Sequence, residues 1–225
     1  MTPSPYLDKT DPWSSHSLIG QRLRGCPQGT RVLDVGSGPG ALGRACRGLD
    51  LRLDGIERNP EWAQAARPWY RALAAAPLES TPDEFIAGHQ VVVCADLLEH
   101  LPDPEAALGR LVRLQPNGAL FLVSVPNVAN LWVRLGLLLG RFDYAERGIL
   151  DRTHLRFFTR RSLLALLHGA GLHVRRVQVT PLPLNLAHPF FERSALGRLA
   201  HRGLAWISQA FPTLLGYQFI VEAVK

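Results

Sequence analysis

Residues 32–40 read VLDVGSGPG: an apolar, strand-like run that ends in three glycines spaced G-x-G-x-G, at Gly36, Gly38 and Gly40. Few folds begin this way. A glycine-rich turn at the carboxyl end of a first strand lets a ligand approach bare backbone, and open α/β sheets bind their ligands at that end of the strands. The next stretch, ALGRACRG, reads as a helix closed by Gly48, and LRLDGIE as a second strand ending at Glu57. The glycine spacing departs from the dinucleotide pattern G-x-G-x-x-G, and no triphosphate loop of the form G-x-x-x-x-G-K-S/T occurs. Glu57, one βα unit after the turn, is placed to accept hydrogen bonds from both hydroxyls of a ribose.

Strand and helix patterns keep alternating. Ahead of the glycine turn, DPWSSHSLIGQRLRG reads as a helix with Asp11 as N-cap and Pro12 in its first turn. PEWAQAARPWYRALAAA reads as a helix, and QVVVCAD as a β-branched strand buried on both faces. DPEAALGRLVRL is a helix capped by Asp103 with Pro104 at its first position, and GALFLVSVP a further buried strand. After Pro126, NVANLWVRLGLLLGRF is helical, as is TRRSLLALLHGAG with Thr159 as its cap. LHVRRVQVTPL and YQFIVEAV form a last pair of strands. Between them Leu196, Leu199, Leu204, Ile207 and Phe211 recur on one helical face. The alternation predicts an α/β fold, a doubly wound sheet with right-handed crossovers, as one domain over residues 1–225.

Composition narrows the function classes. With 47% hydrophobic residues the chain can bury a core, which excludes a disordered protein. The net charge of +6 raises nucleic acid as a partner, but the only lysines are Lys9 and Lys225. The arginines are dispersed, with no basic run or RNP-like aromatic motif, so no nucleic-acid partner is expected. An anionic small substrate or a membrane surface accounts for the charge equally well. The start, MTPSPYLDKTDPW, has no charged and apolar leader pattern. Cys26, Cys46 and Cys94 lack metal spacing and fit buried thiols, so a cytoplasmic location is expected. The most apolar stretch, LWVRLGLLLG, is interrupted by Arg134 and too short to span a bilayer.

Taken in order, VLDVGSGPG, DGIERNPEWAQAA, VVVCADLLEHLPDPEAALGRL and PNGALFLVSVPN resemble class I S-adenosylmethionine-dependent methyltransferases. They are most similar to the group that holds the ubiquinone-biosynthesis O-methyltransferases and many small-molecule and sugar methyltransferases. The resemblance covers about residues 28–180. It implies a Rossmann-like seven-stranded sheet with helices on both faces and the last strand antiparallel, S-adenosylmethionine as cofactor, and a small-molecule acceptor. By the same resemblance Gly36, Ser37, Gly38 and Gly40 line the methionine and ribose of the cofactor, with Asp34 near the amino group. Glu57 takes the ribose diol, Arg58 and Asn59 flank the adenine, and Asp96 and Leu97 close over the cofactor from the other side. Two departures stand out. Pro77 lies where the family carries an acid toward adenine, with Glu79 as a nearby substitute, and Gln90 replaces the usual aspartate opening strand four.

Methyl transfer to a hydroxyl needs a group that removes a proton, because the sulfonium already activates the methyl. The catalytic candidates are His154, in LDRTHLRFFT, and His100, in ADLLEHL. In ubiquinone-type relatives, residues matching Asp96, Glu99 and His100 are associated with a divalent cation. The same Leu-Glu-His also serves relatives without one, so no metal ligand is assigned. Arg152 or Arg156 suits a phosphate or carboxylate, and Phe157 and Phe158 read as core or as pocket walls. Residues 127–150 and 182–215 are read as acceptor-side caps. Trp132, Leu135, Leu137, Leu138 and Leu139 lie between Arg134 and Arg141 in the first; Phe190, Phe191, Trp206 and Phe211 lie in the second. Such caps fit a lipophilic substrate, a peripheral membrane contact, a lid core or a dimer contact. The expected reaction is methylation of a phenolic, sugar or lipid-linked hydroxyl. Pro77 and Gln90 keep open a different class, a degenerate methyltransferase domain that only binds.

Overall fold

In the structure, a computed structural model that describes residues 11–184 and 188–225, the chain builds one seven-stranded sheet. Its strands are β1 (Thr30–Val35), β2 (Leu51–Ile56), β3 (Ala72–Ala74), β4 (Val91–Ala95), β5 (Leu120–Pro126), β6 (His173–Thr180) and β7 (Gln218–Val224). They run in the order β3-β2-β1-β4-β5-β7-β6. The first five are parallel, and β7 is antiparallel to both β5 and β6. This is the Rossmann-like sheet with an antiparallel last strand that the sequence implied. The reading of Met1–Thr10 and part of the second cap, residues 185–187, fall outside the described residues.

The period-2 pattern of the strands splits the core between the two faces. Leu33, Val35, Val92, Cys94, Phe121 and Val123 point to one face, where α5 (Pro104–Leu114) and α7 (Arg160–Gly169) cover them with Leu108, Leu111, Leu163 and Leu167. Val32, Val91, Val93 and Leu122 point to the other, under Ile19 and Leu23 of α1 (Ser15–Arg24) and Leu42 of α2 (Ala41–Ala45). Each fully buried Leu, Ile or Phe contributes about 1.5–3 kcal/mol relative to exposure. The remaining helices are α3 (Pro60–Ala66), α4 (Asp83–Ile86), α6 (Leu131–Leu138), α8 (Phe190–Arg193), α9 (Ala195–Ala210) and α10 (Pro212–Leu215).

Three local expectations change. The alanine-rich run after Pro60 is not one helix: α3 stops at Ala66, a single 3₁₀ turn holds Arg67–Trp69, and Ala72–Ala74 pair with Asp54–Ile56 as the edge strand β3. Pro68 breaks the helix, and sheet pairing overrides the helical preference of alanine. The first helix is capped by Ser14, whose Oγ accepts from Ser17 N–H, and not by Asp11. Asp11 instead accepts from Trp13 N–H and pairs with His201 in α9 at 3.0 Å. Helix α2 ends at Cys46, two residues before Gly48. The caps at Asp103 and Thr159 are as expected, the latter a reciprocal capping box with Ser162.

One buried pair supports the turn after β1. Tyr70 O–H donates to Asp34 Oδ2 at 2.6 Å, with both groups buried. Burial pushes the Asp34 carboxyl up to about 7; the Tyr70 hydrogen bond opposes the rise and the Glu57 charge adds to it. An acid raised in the folded state holds its proton longer there than in the unfolded chain, whose carboxyl titrates near about 4. Asp34 therefore lowers stability progressively as pH rises from about 4 to about 7, with no further loss above. Asp34→Asn keeps the shape and the acceptor. In urea unfolding, its stability gain over the native chain should grow between pH 5 and pH 8, roughly the window of that titration. Thr159→Ala, which removes the capping box, should cost about 1 kcal/mol at any pH in the same measurement.

Candidate active site

The order of the sheet reverses between β1 and β4, which leaves a crevice beyond their carboxyl ends. The glycine turn forms one wall. Gly36 (φ 77°) lies against Leu97, whose Cδ1 would be 2.9 Å from any Cβ placed there. Gly40 (φ 88°) is pressed on Trp69 and Ala66 just as closely, so neither position accepts a larger residue. Gly38, between them, faces open space. Its N–H donates to Glu57 Oε2 at 2.8 Å, and Asn59 N–H donates to Glu57 Oε1 at 2.8 Å. The Glu57 carboxylate thus ties the turn to the end of β2. A carboxylate offers about four acceptor sites, so two remain for ribose hydroxyls. Ser37 Oγ is buried without a hydrogen-bond partner among the described residues, a polar atom awaiting a polar group. These features fit S-adenosylmethionine: bare backbone, open space over Gly38, and acceptors at the ribose position.

The opposite wall follows β4. Asp96 is the one non-glycine residue with positive φ (53°) among the described residues, a conformation retained only where surroundings enforce it. Its enforcers are plain. Ser124 Oγ donates to Asp96 Oδ1 at 2.6 Å, Gln218 Nε2 to the same oxygen at 2.9 Å, and Ser15 Oγ to Oδ2 at 3.2 Å. Three distant segments, α1, β5 and β7, therefore fix one carboxylate at the crevice.

Beyond Asp96 the turn Leu98–His100 receives the LDRTHLRFFT segment. Leu155 N–H and Arg156 N–H both donate to the Glu99 carbonyl, at 2.8 and 3.0 Å. His154 is thereby brought beside His100, their rings edge to face with centroids 4.9 Å apart. His154 Nδ1 lies 3.1 Å from the Ile149 carbonyl, and His100 Nδ1 lies 3.2 Å from the Thr153 carbonyl. A carbonyl can only accept, so each Nδ1 carries a proton, and in the neutral form of each ring Nε2 is the nitrogen with the lone pair. Burial, and next the charge of His154, lower the His100 pKa, which keeps that ring neutral. Ligand atoms of Glu99, His100 and His154 lie within 4.8 Å of one another. Phe157, Phe142 and Tyr144 extend the group: Phe157 is 6.3 Å from His154 and 5.6 Å from Phe142, and Tyr144 is 5.8 Å from Phe142.

The expected residues sort by position. Gly36, Ser37, Gly38, Gly40, Glu57, Asp96 and Leu97 meet around the crevice. Arg58 is exposed just beyond Glu57, while Asn59 caps α3. Asp34 lies beneath the turn, engaged by Tyr70. Phe158 enters the core whereas Phe157 joins the aromatic group. Arg152 pairs with Glu146 at the surface, and Arg156 Nη2 donates to the Pro102 carbonyl. Glu79 is exposed in the turn after Pro77, and Gln90 Oε1 accepts from Arg31 N–H. Ser15, Ser124, Gln218, Phe142 and Tyr144 were not foreseen. Only Gln218, a polar residue opening a largely apolar strand, carried a signal in the sequence.

Comparison with known proteins agrees with this geometry. The family described as a methyltransferase domain matches residues 16–177. The ubiquinone biosynthesis O-methyltransferase of Xanthomonas axonopodis pv. citri (strain 306) is 30% identical over 163 residues, 67% of this chain and 66% of the relative. That of Aeromonas salmonicida (strain A449) is 30% identical over 65% of this chain and 64% of its own length. The chain thus matches slightly less than two thirds of each relative. Among solved structures, magnesium protoporphyrin IX methyltransferase of Synechocystis PCC 6803 with bound SAH superposes with a TM-score of 0.59 at 14% identity, covering 94% of this chain and 83% of that one. A cyclase, SpnF, superposes at 0.60 with 18% identity over 93% and 80%. At such identity these neighbours speak for the fold alone. With the family match over 16–177, the chain belongs to the class I S-adenosylmethionine-dependent methyltransferases.

Proposed function

We propose that this protein transfers a methyl group from S-adenosylmethionine to a hydroxyl of a small molecule, with a phenolic, sugar or lipid-linked intermediate as acceptor. The observation that carries the reading is the pairing of two walls on one sheet edge. The glycine turn with Glu57 stands on one side, and two imidazoles with free Nε2 lone pairs stand on the other. When bound, the cofactor supplies an electrophilic methyl on a sulfonium. The protein's part is to hold and align, and to take a proton.

In this reading Glu57 accepts from the ribose diol, Ser37 and the backbone of Gly36–Gly40 line the cofactor, and Asp96 with Leu97 bounds it from the β4 side. His154 receives the acceptor's proton at Nε2, since its Nδ1–H is committed to the Ile149 carbonyl. His100 lies against it and gives the same service or keeps the ring in place. Phe157, Phe142 and Tyr144 present an aromatic wall to the acceptor, which favours a flat or lipophilic substrate. Residues 127–150 and 182–215 serve as caps of the acceptor side within one domain. The relatives named as ubiquinone biosynthesis O-methyltransferases support transfer to oxygen.

A second reading rests on the Glu99, His100 and His154 cluster. One carboxylate and two imidazoles suit a divalent ion of the zinc or iron class. Such an ion would lower the pKa of an acceptor hydroxyl. Asp96 stands outside that set, held by Ser124, Gln218 and Ser15. Metal analysis of the purified protein, with activity before and after chelation, separates the readings: loss on chelation and recovery with one ion favours the metal.

Calorimetry with S-adenosylmethionine tests the foundation, and no binding at about millimolar cofactor overturns it. Glu57→Ala removes a charged acceptor of two N–H groups and should weaken cofactor binding by about 1.5–3 kcal/mol, roughly ten- to a hundredfold in Kd. His154→Ala should lower kcat by about a hundredfold or more with cofactor Kd unchanged, and a fully active variant returns His154 to a structural role. The acceptor itself is found by incubating cell extract with the enzyme and following products that gain one methyl. Cofactor binding without any such product leaves the binding-protein reading.

A further inference from the structure

Large apolar side chains exposed to solvent are not scattered over this molecule. Of the fifteen that stand out among the described residues, all but Leu155 fall within residues 132–144 or 190–214. The two segments leave the sheet at the carboxyl ends of β5 and β6, the edge that carries the crevice. They are joined there: Asn127 Nδ2 donates to the carbonyls of Thr213 and Gly216, and Asn130 Nδ2 to that of Gly216. One continuous cap results.

Helix α9 shows how the cap is oriented. Its positions Leu196, Leu199, Trp206 and Ile207 share one face and point to solvent, with Trp206 at 78% exposure. The face turned inward is built from Gly197, His201, Ala205 and Ser208. Two contacts lock that orientation. Gly197 packs on the backbone of Phe190, where any Cβ would lie 2.2 Å from the carbonyl oxygen, and buried His201 pairs with Asp11. The amphipathic face that normally supplies core is thus presented outward. Helix α6 repeats the pattern, with Trp132, Leu135 and Leu138 exposed, Leu138 at 81%.

Arginine predominates among the charges of this cap: Arg134, Arg141, Arg193, Arg198 and Arg202 against Asp143 and Glu192. Helix α9 holds Arg198 and Arg202 and no acidic residue. Between the two segments, a groove of about 630 Å³ runs along α7, lined by Arg134, Arg160, Arg161, Leu164, Ala165 and Thr213 among others, with no acid in its lining. The first turn of α7 carries two arginines and no carboxylate, which reverses the preference of a helix dipole. Apolar ridges bearing tryptophan, flanked by arginines, match the chemistry of a lipid surface with anionic headgroups.

From these observations we infer that the cap docks on an anionic lipid surface, with Trp132, Leu138, Leu199 and Trp206 entering the headgroup–acyl boundary and the arginine groove facing lipid phosphates. The site then opens toward the bilayer, the side from which a lipophilic acceptor arrives. No helix among the described residues is long and apolar enough to cross a membrane, so the contact is peripheral.

The test is co-sedimentation of the full chain with vesicles, read as bound fraction and independent of any methyl transfer. Vesicles of phosphatidylglycerol mixed with phosphatidylcholine should retain the protein about tenfold better than phosphatidylcholine alone, and the difference should fall with salt. The double variants Leu199→Gln/Trp206→Gln and Arg161→Glu/Arg202→Glu should each reduce binding by about tenfold. Both alter exposed side chains, so melting temperature and cofactor affinity should stay as in the native chain. Three results overturn the inference: no vesicle binding, equal binding to anionic and neutral vesicles, or variants that bind like the native protein. Light scattering that shows a dimer abolished by Leu199→Gln/Trp206→Gln, without vesicle binding, assigns the face to a second copy instead.

Discussion

The Glu57 carboxylate holds the site together. By accepting from Gly38 N–H and Asn59 N–H, it clamps the glycine turn after β1 to the start of α3. The turn would otherwise be a run of left-handed glycine conformations with little of its own to hold it. Two charge-assisted hydrogen bonds, roughly twice as strong as neutral ones, replace the side-chain packing that glycines cannot supply. The clamp faces into the crevice, so one carboxylate both shapes the backbone and remains available to a ligand. Tyr70 and Asp34 support the same turn from below, where a proton shared in a buried pair takes the place of a solvated charge.

Local rules made most of this framework readable before any coordinates. Strands β1, β2, β4, β5, β6 and β7, the caps Asp103 and Thr159, and the positions of the glycine turn and Glu57 follow from period, propensity and spacing. Strand β3 escaped because its three residues are alanine and leucine on a sheet edge, and only pairing with β2 distinguishes them from a helix. Asp11 had every local mark of an N-cap, yet a buried partner 190 positions away, His201, determines where it sits. The residues that restrain Asp96 were invisible for the same reason. Ser15, Ser124 and Gln218 come from three elements, and nothing in their local sequence announces a shared carboxylate.

LDRTHLRFFT shows how far sequence reasoning carries when a segment's partners are distant. Its composition offered a base, two arginines and two aromatics without deciding among them. The fold decides through the Glu99 carbonyl, which accepts two consecutive N–H groups of the segment and thereby sets which side chains turn inward. His154 goes to the crevice with Phe157 beside it, while Phe158 goes to the core, the alternation expected of an extended stretch. The arginines turn outward to Glu146 and the Pro102 carbonyl, so anion recognition by this segment loses its support.

Apolar periodicity misled in the opposite direction at α9. Leu196, Leu199 and Ile207 recur as core residues do, yet the helix buries glycine, alanine, serine and histidine and leaves the leucines in water. Hydrophobic burial alone would rotate the helix by half a turn. What prevents it is geometric and electrostatic. Gly197 is required for the close approach to Phe190, and His201 cannot leave Asp11 without stranding a buried carboxylate. Exposing several large side chains costs about 1.5–3 kcal/mol each relative to burial, a sum comparable to the stability of a small domain. A fold that maintains such a face at the mouth of its crevice, and maintains it by dedicated contacts, makes sense if the face is covered when the protein works. On the proposed reading the arginine groove beside it favours an anionic cover, and Phe142 and Tyr144, which belong to the same cap and meet Phe157, would link that cover to acceptor access.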